Sequence, residues 1–330
     1  MGVAKGHPVR TKINGFVDIF VPEVAPPSIR WAKAVASPER RGVRRTVQAL
    51  RNMTVHPAAS ANTKIAVVGF RHFFATADGP MQATDRVDLT IRAGEFVTLV
   101  GPSGCGKTTL LKALAGFIKP SEGTILCDGA PVRGPGRERG VVFQELAILP
   151  WRTVRRNIGH GLEIARVSRS ERDRTVTRLI ELTGLAGFED RYPHELSGGM
   201  RQRVAVARTW AADPEIILMD EPFAAVDAMT RLTLQEELAR LCAATKKTVF
   251  FITHSVDEAV FLGDRVLVMT RHPGRIKAVI EVPGRAAGRD WESFKADAGM
   301  QAITEQVLRL VREERGAAAA SAAAVGEAHA

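Results

Sequence analysis

The sequence predicts an α/β fold built around a covered, mostly parallel sheet. Short apolar runs that read as buried strands alternate with stretches of helical periodicity. The run 95–100 feeds a glycine-rich turn and then a helical pattern over 109–115, and a second run, 216–219, ends abruptly in the acidic pair Asp220-Glu221. Both observations place the chemistry at strand ends.

Composition bounds the rest. The chain has 330 residues, 45% of them apolar, enough for one large core or two smaller ones. No stretch reaches the roughly 18 to 20 apolar residues a membrane-crossing helix needs, and residues 1–30 lack the apolar block of an export signal. Cys105, Cys127 and Cys242 show no Cys-x-x-Cys spacing, which points to a reducing compartment without disulfides or structural zinc. The net charge of +10 is concentrated at the start, where residues 1–60 hold ten Lys or Arg against three Asp or Glu. The other 270 residues carry only +3, so no specific nucleic-acid partner is expected.

In chain order, residues 1–60 form a proline-interrupted basic leader that reads as flexible or as a start placed too early; contact with anionic lipid headgroups is the sharper alternative. The catalytic domain is expected over 61–283 and a helical extension over 284–315, with Ile303, Val307, Leu308 and Val311 on its packed face. Residues 316–330 read as a disordered alanine-rich tail.

The turn after the first strand reads Gly101-Pro102-Ser103-Gly104-Cys105-Gly106-Lys107-Thr108, followed by Thr109, and its spacing matches a phosphate-binding loop. Glycines let the backbone approach closely, so that amide hydrogens and the positive end of the helix converge on phosphate oxygens. Lys107 adds a point charge and the Thr108 hydroxyl can ligate Mg²⁺. At the second strand end, two adjacent carboxylates invite two roles: Asp220 as a Mg²⁺ ligand through its water shell, and Glu221 as the group that polarises the attacking water. Between these sites, Ser197-Gly198-Gly199-Met200 precedes a helix that Ser197 can cap, with glycines leaving amides exposed for a phosphate.

Taken with Leu196 and Arg201-Gln202-Arg203, that segment resembles the signature of ABC ATPases, and the resemblance covers roughly 63–282. It implies a P-loop NTPase of the ABC type with a helical signature subdomain, binding ATP with Mg²⁺. It also implies that Ser197–Met200 contact ATP held by the opposite subunit. Further elements appear in the family's order: Gln144 after the strand 140–143, matching a glutamine that contacts Mg²⁺ or the attacking water; Asp227, matching a dimer-contact loop; and His254, matching a histidine at the γ-phosphate. That loop reads Ala-Ala-Val-Asp where Ser or Gly, Ala, Leu, Asp is usual, and His254 precedes Ser255 where Asp is usual. The adenine-stacking aromatic aligns with Phe74, with core packing as the competing role.

The segments 134–140, 145–152 and 271–276 look like those of nitrate, sulfonate and taurine importer ATPases. Leu149-Pro150-Trp151 could present an aromatic anchor to a membrane partner, or simply pack as a local turn. The resemblance therefore implies an ATPase working as a homodimer on the cytoplasmic face of the inner membrane. Its partners would be integral permease subunits and, indirectly, an extracytoplasmic solute-binding protein. A soluble ABC-type switch acting on nucleic acid or a regulatory partner is the alternative.

Overall fold

The computed structural model describes residues 62–77, 79–224, 226–284 and 290–327, with side chains through 314. The expected leader, 1–60, lies outside the described residues.

Two sheets carry the fold. The larger has the order β10-β9-β3-β8-β7-β6, with β3 (Phe96–Val100), β6 (Arg139–Val142), β7 (Ile216–Asp220), β8 (Thr248–Ile252) and β9 (Arg265–Met269) all parallel. Only β10 (Ile276–Glu281) runs antiparallel, against β9. Every residue of β3, β7, β8 and β9 is buried, which explains why they read as unbroken apolar runs rather than alternating ones.

The second sheet was not legible from sequence. It is antiparallel, with the order β2-β1-β4-β5, and is dominated by the long hairpin of β1 (Thr63–Thr76) and β2 (Gly79–Arg92). β4 (Glu122–Cys127) and β5 (Ala130–Pro131) complete it. Mixed burial along β1, with charged and aromatic residues on its outer half, hides its strand period.

The helices cover the parallel sheet. α1 (Lys107–Ala115) follows β3 directly and starts two residues earlier than its apolar pattern suggested, because Lys107 and Thr108 already belong to its first turn. A helical lobe lies between β6 and β7: α2 (Val154–Ile158), α3 (His160–Ile164), α4 (Arg169–Leu182) and α5 (Gly198–Ala211). This is the helical signature subdomain the sequence implied. α6 (Ala228–Thr245) and α7 (Val256–Leu262) flank β8.

Beyond the sheets, α8 (Trp291–Ala296) stacks Trp291 on Phe261 of α7 at 4.2 Å between ring centroids, nearly parallel. The last helix, α9 (Ala298–Glu327), buries Val307 and Val311 as expected. Its backbone is drawn as helix to Glu327, past the start of the alanine-rich tail at 316. Alanine has the highest helix propensity, so a run of it continues a helix already nucleated by packing. All three cysteines are buried and none is in a disulfide. Among the described residues, no helix is long and apolar enough to cross a membrane.

Candidate functional site: a phosphate loop at the carboxyl ends of the parallel strands

Three neighbouring strands deliver the site. β3 runs into the loop 101–106, β7 ends in Asp220-Glu221, and β8 ends before Thr253-His254. Thr253 N–H donates to Leu99 O at 3.2 Å and Glu221 N–H to Ile252 O at 3.0 Å, so the ladder continues past the strand ends and fixes the three segments side by side. A cavity of about 410 Å³ opens there, lined by Phe74, Met81, Ala83, Ser103, Gly104, Gly106, Lys107, Thr108, Thr109, Glu221 and His272.

The loop's shape requires its glycines. Gly106 has φ +95°, and a Cβ there would lie 2.6 Å from Thr84 Cγ2 and 2.8 Å from Ala83 O. Lys107 is buried and donates through Nζ to the carbonyls of Gly101 (3.0 Å) and Pro102 (2.9 Å), curling the loop around its own ammonium. The Cys105 side chain turns inward, 1% exposed, into the core of the hairpin lobe, so that residue packs beneath the loop rather than facing the cavity.

The acidic pair is split by environment. Asp220 is buried, accepts a hydrogen bond from Thr108, and is pushed above the usual carboxylate range chiefly by burial, against the pull of that bond and of Lys107. Glu221 lines the cavity with left-handed backbone, φ +46°. Its Oε2 lies 3.4 Å from His254 Nδ1. Beneath His254, the buried carboxylate of Glu258 accepts from the Thr253 hydroxyl and, at 2.5 Å, from Gln235 Nε2. Ser255 N–H donates back to Thr253 Oγ1 at 3.0 Å, so this network sets the turn that carries His254.

Other expected residues sit apart from the cavity. Gln144 is exposed beyond the end of β6 and does not line it. Ser197 caps α5, accepting from Met200 N–H at 3.2 Å, and Asp227 caps α6, accepting from Thr230 N–H at 3.0 Å. These two helix starts are packed together: a Cβ on Gly199 would come within 2.6 Å of Thr230 Cγ2. None of Ser197, Gly198, Gly199 and Met200 reaches the phosphate-loop cavity.

Comparison with known proteins decides the family. A family profile described as ABC transporter matches residues 84–224. An uncharacterised ABC transporter ATP-binding protein of Methanocaldococcus jannaschii is 53% identical over 219 residues, 66% of this chain and 82% of that protein. The chain belongs to the ABC transporter ATP-binding family. This ABC subunit is an ATPase, built to bind ATP. A taurine import ATP-binding protein of Pseudomonas syringae pv. tomato is 47% identical, covering 70% of this chain and 90% of that one. Among solved structures, a dimeric ATP-binding cassette in a post-hydrolysis state with ADP and Pi is 30% identical with a TM-score of 0.60, covering 67% of this chain and 99% of its own.

Two features of this ABC subunit have no motif of their own in the sequence. Met81 and His272 line the cavity, yet nothing local marks them; the run 271–276 is marked only by its likeness to the importer ATPases. Asn157, fully buried, accepts from Leu149 N–H at 2.8 Å and donates to the carbonyls of Leu149, Arg152 and Thr153. It ties down the turn that holds Trp151 out, 71% exposed. A buried Asn among apolar helix positions is the signal that could have found it.

Proposed function

We propose that this chain is the energy-coupling subunit of an importer for a small anion such as taurine, an aliphatic sulfonate or nitrate. Two copies would work head to tail on the cytoplasmic face of the inner membrane, beneath permease subunits served by an extracytoplasmic binding protein. The observation that carries the reading is the separation within one chain of the phosphate loop from Ser197–Met200. Ser197–Met200 cap a helix and do not line the cavity, so a second copy would be needed to bring such a segment to the nucleotide. Met229, 77% exposed beside Asp227, is the kind of apolar residue such a contact would cover. The taurine-importer relatives support the cargo class.

The residues fit a magnesium ion arriving with the nucleotide. Thr108 and Asp220 offer a hydroxyl and a carboxylate in mutual contact, a hard oxygen pair that leaves the other positions to water and phosphate. Bound there, Mg²⁺ would neutralise charge on the phosphates during transfer to water. The loop amides and Lys107 grip the β and γ phosphates. Glu221 orients the water and takes its hydrogen bond, His254 contacts the γ-phosphate, and Gln144 has to swing in from its exposed position. Phe74, 39% exposed, gives the adenine a face to stack on, with the His72 ring edge-on behind it at 4.6 Å. Little covalent work falls to the protein beyond positioning and electrostatics.

Glu221→Gln is the direct test. Mg-ATP binding should persist, dimers should accumulate with ATP present, and turnover should fall by about 10² or more. Near-normal hydrolysis would remove Glu221 as the water-orienting group, and a strictly monomeric ATP-bound form would remove the shared site.

A further inference from the structure

We propose that His272 contacts the nucleoside end of the bound nucleotide, opposite Phe74. The inference rests on the ATP-binding reading above and adds a residue to it. His272 lies in the connection between β9 and β10, far in sequence from the phosphate loop, and lines the same cavity.

Its place within the cavity follows from its neighbours. Gly274 O accepts from Asp85 N–H at 2.9 Å, and Gly274 N–H donates to Ala83 O at 3.4 Å. The connection is therefore stitched to β2, the strand whose Met81 and Ala83 line the cavity and whose Met81 pairs in register with Phe74. Phe74, Met81, Ala83 and His272 thus cluster at the hairpin edge, while Glu221 belongs with Asp220 and His254 at the hydrolytic edge. A nucleotide with its phosphates on the loop and its base toward Phe74 would bring its nucleoside past the imidazole.

The connection is also held firmly enough to present a side chain. Gly274 is buried so closely against the phosphate loop that a Cβ there would fall 1.8 Å from Cys105 O. On the other side, Arg271 N–H donates to Glu314 of α9 at 3.1 Å, and the same carboxylate pairs with Lys277 at 2.8 Å. His272 itself is exposed, projecting from a fixed backbone. Imidazole can donate to or accept from a ribose hydroxyl or a base nitrogen, so the chemistry it recognises is the nucleoside and not the phosphate chain.

Calorimetric titration of the full chain with Mg-ATP and with Mg-tripolyphosphate, which lacks base and ribose, separates the possibilities. His272→Ala should raise the Kd for ATP about three- to ten-fold, the range expected for one net hydrogen bond, and leave tripolyphosphate affinity unchanged. His272→Gln, which can still donate and accept, should recover part of the loss. Equal weakening of both probes, or of neither, overturns the proposal. Failure of the unsubstituted chain to bind ATP would overturn the ATP-binding reading itself. A measurement on the unsubstituted chain guards against misfolding of the variants: carbethoxylation of His272, followed by mass spectrometry, should be slowed by ATP and not by tripolyphosphate. Protection by both or by neither would again overturn the assignment.

Discussion

A single methyl group at Gly274 should loosen the nucleotide cavity from outside it. In Gly274→Ala the added Cβ would start 1.8 Å from Cys105 O and 2.5 Å from Met269 Cε. The methionine terminus can swing aside, but the carbonyl belongs to the phosphate loop and cannot. Restoring ordinary contact of 3.4 Å requires the connection to move by about 1.6 Å, and the phosphate loop, pinned by Lys107 and α1, is the less free partner. Such a shift breaks the two backbone bonds to β2 and takes His272 beyond hydrogen-bond reach. Overpacking of this kind costs about 1–3 kcal/mol, which for a domain of this size lowers Tm by roughly 3–10 °C. Scanning calorimetry with and without Mg-ATP, paired with titration of ATP, reads both effects. A variant that melts within about 1 °C of the parent and binds ATP unchanged would refute the close packing on which the argument stands.

Asp220→Asn should stabilise the ligand-free protein at neutral pH while abolishing Mg²⁺-dependent hydrolysis. Because burial raises the folded pKa of Asp220, its contribution is most favourable below the usual 3.8 and is lost as pH rises through the folded value; melts across pH should lose that slope in the variant. Trp151→Ala should leave basal ATPase activity intact yet weaken capture of the membrane partner by about 30-fold or more, as expected for an aromatic anchor worth about 2 kcal/mol; unchanged co-purification would reassign that turn to local packing. Trp291→Ala removes the ring stacked on Phe261 and should cost about 3–5 kcal/mol, seen as a Tm lower by roughly 10 °C.

Much of the phosphate end was legible because its chemistry needs fixed residue types at short spacing. Lys107, Thr108 and the glycines of their loop follow one strand directly, and Asp220-Glu221 end another. The opposite edge of the cavity was legible only in part: Phe74 aligns with the family pattern, whereas Met81 and His272 carry no signal of their own. Phe74, Met81 and His272 are brought together only by the antiparallel hairpin and a distant connection, and no local pattern records that meeting. Asn157 escaped because its importance lies in four hydrogen bonds to backbone groups, which sequence does not display.

Glu221 combines a left-handed backbone with a charged side chain at the end of a buried strand, next to a carboxylate that burial disfavours. Both features disfavour the folded state and neither helps it without nucleotide. A library of variants selected only for heat resistance should therefore accumulate replacements at 220 and 221, with glycine or asparagine favoured at 221, where φ is +46°. Survivors of that selection would be sturdier proteins that no longer turn over ATP, so thermal robustness is a poor proxy for competence in this chain.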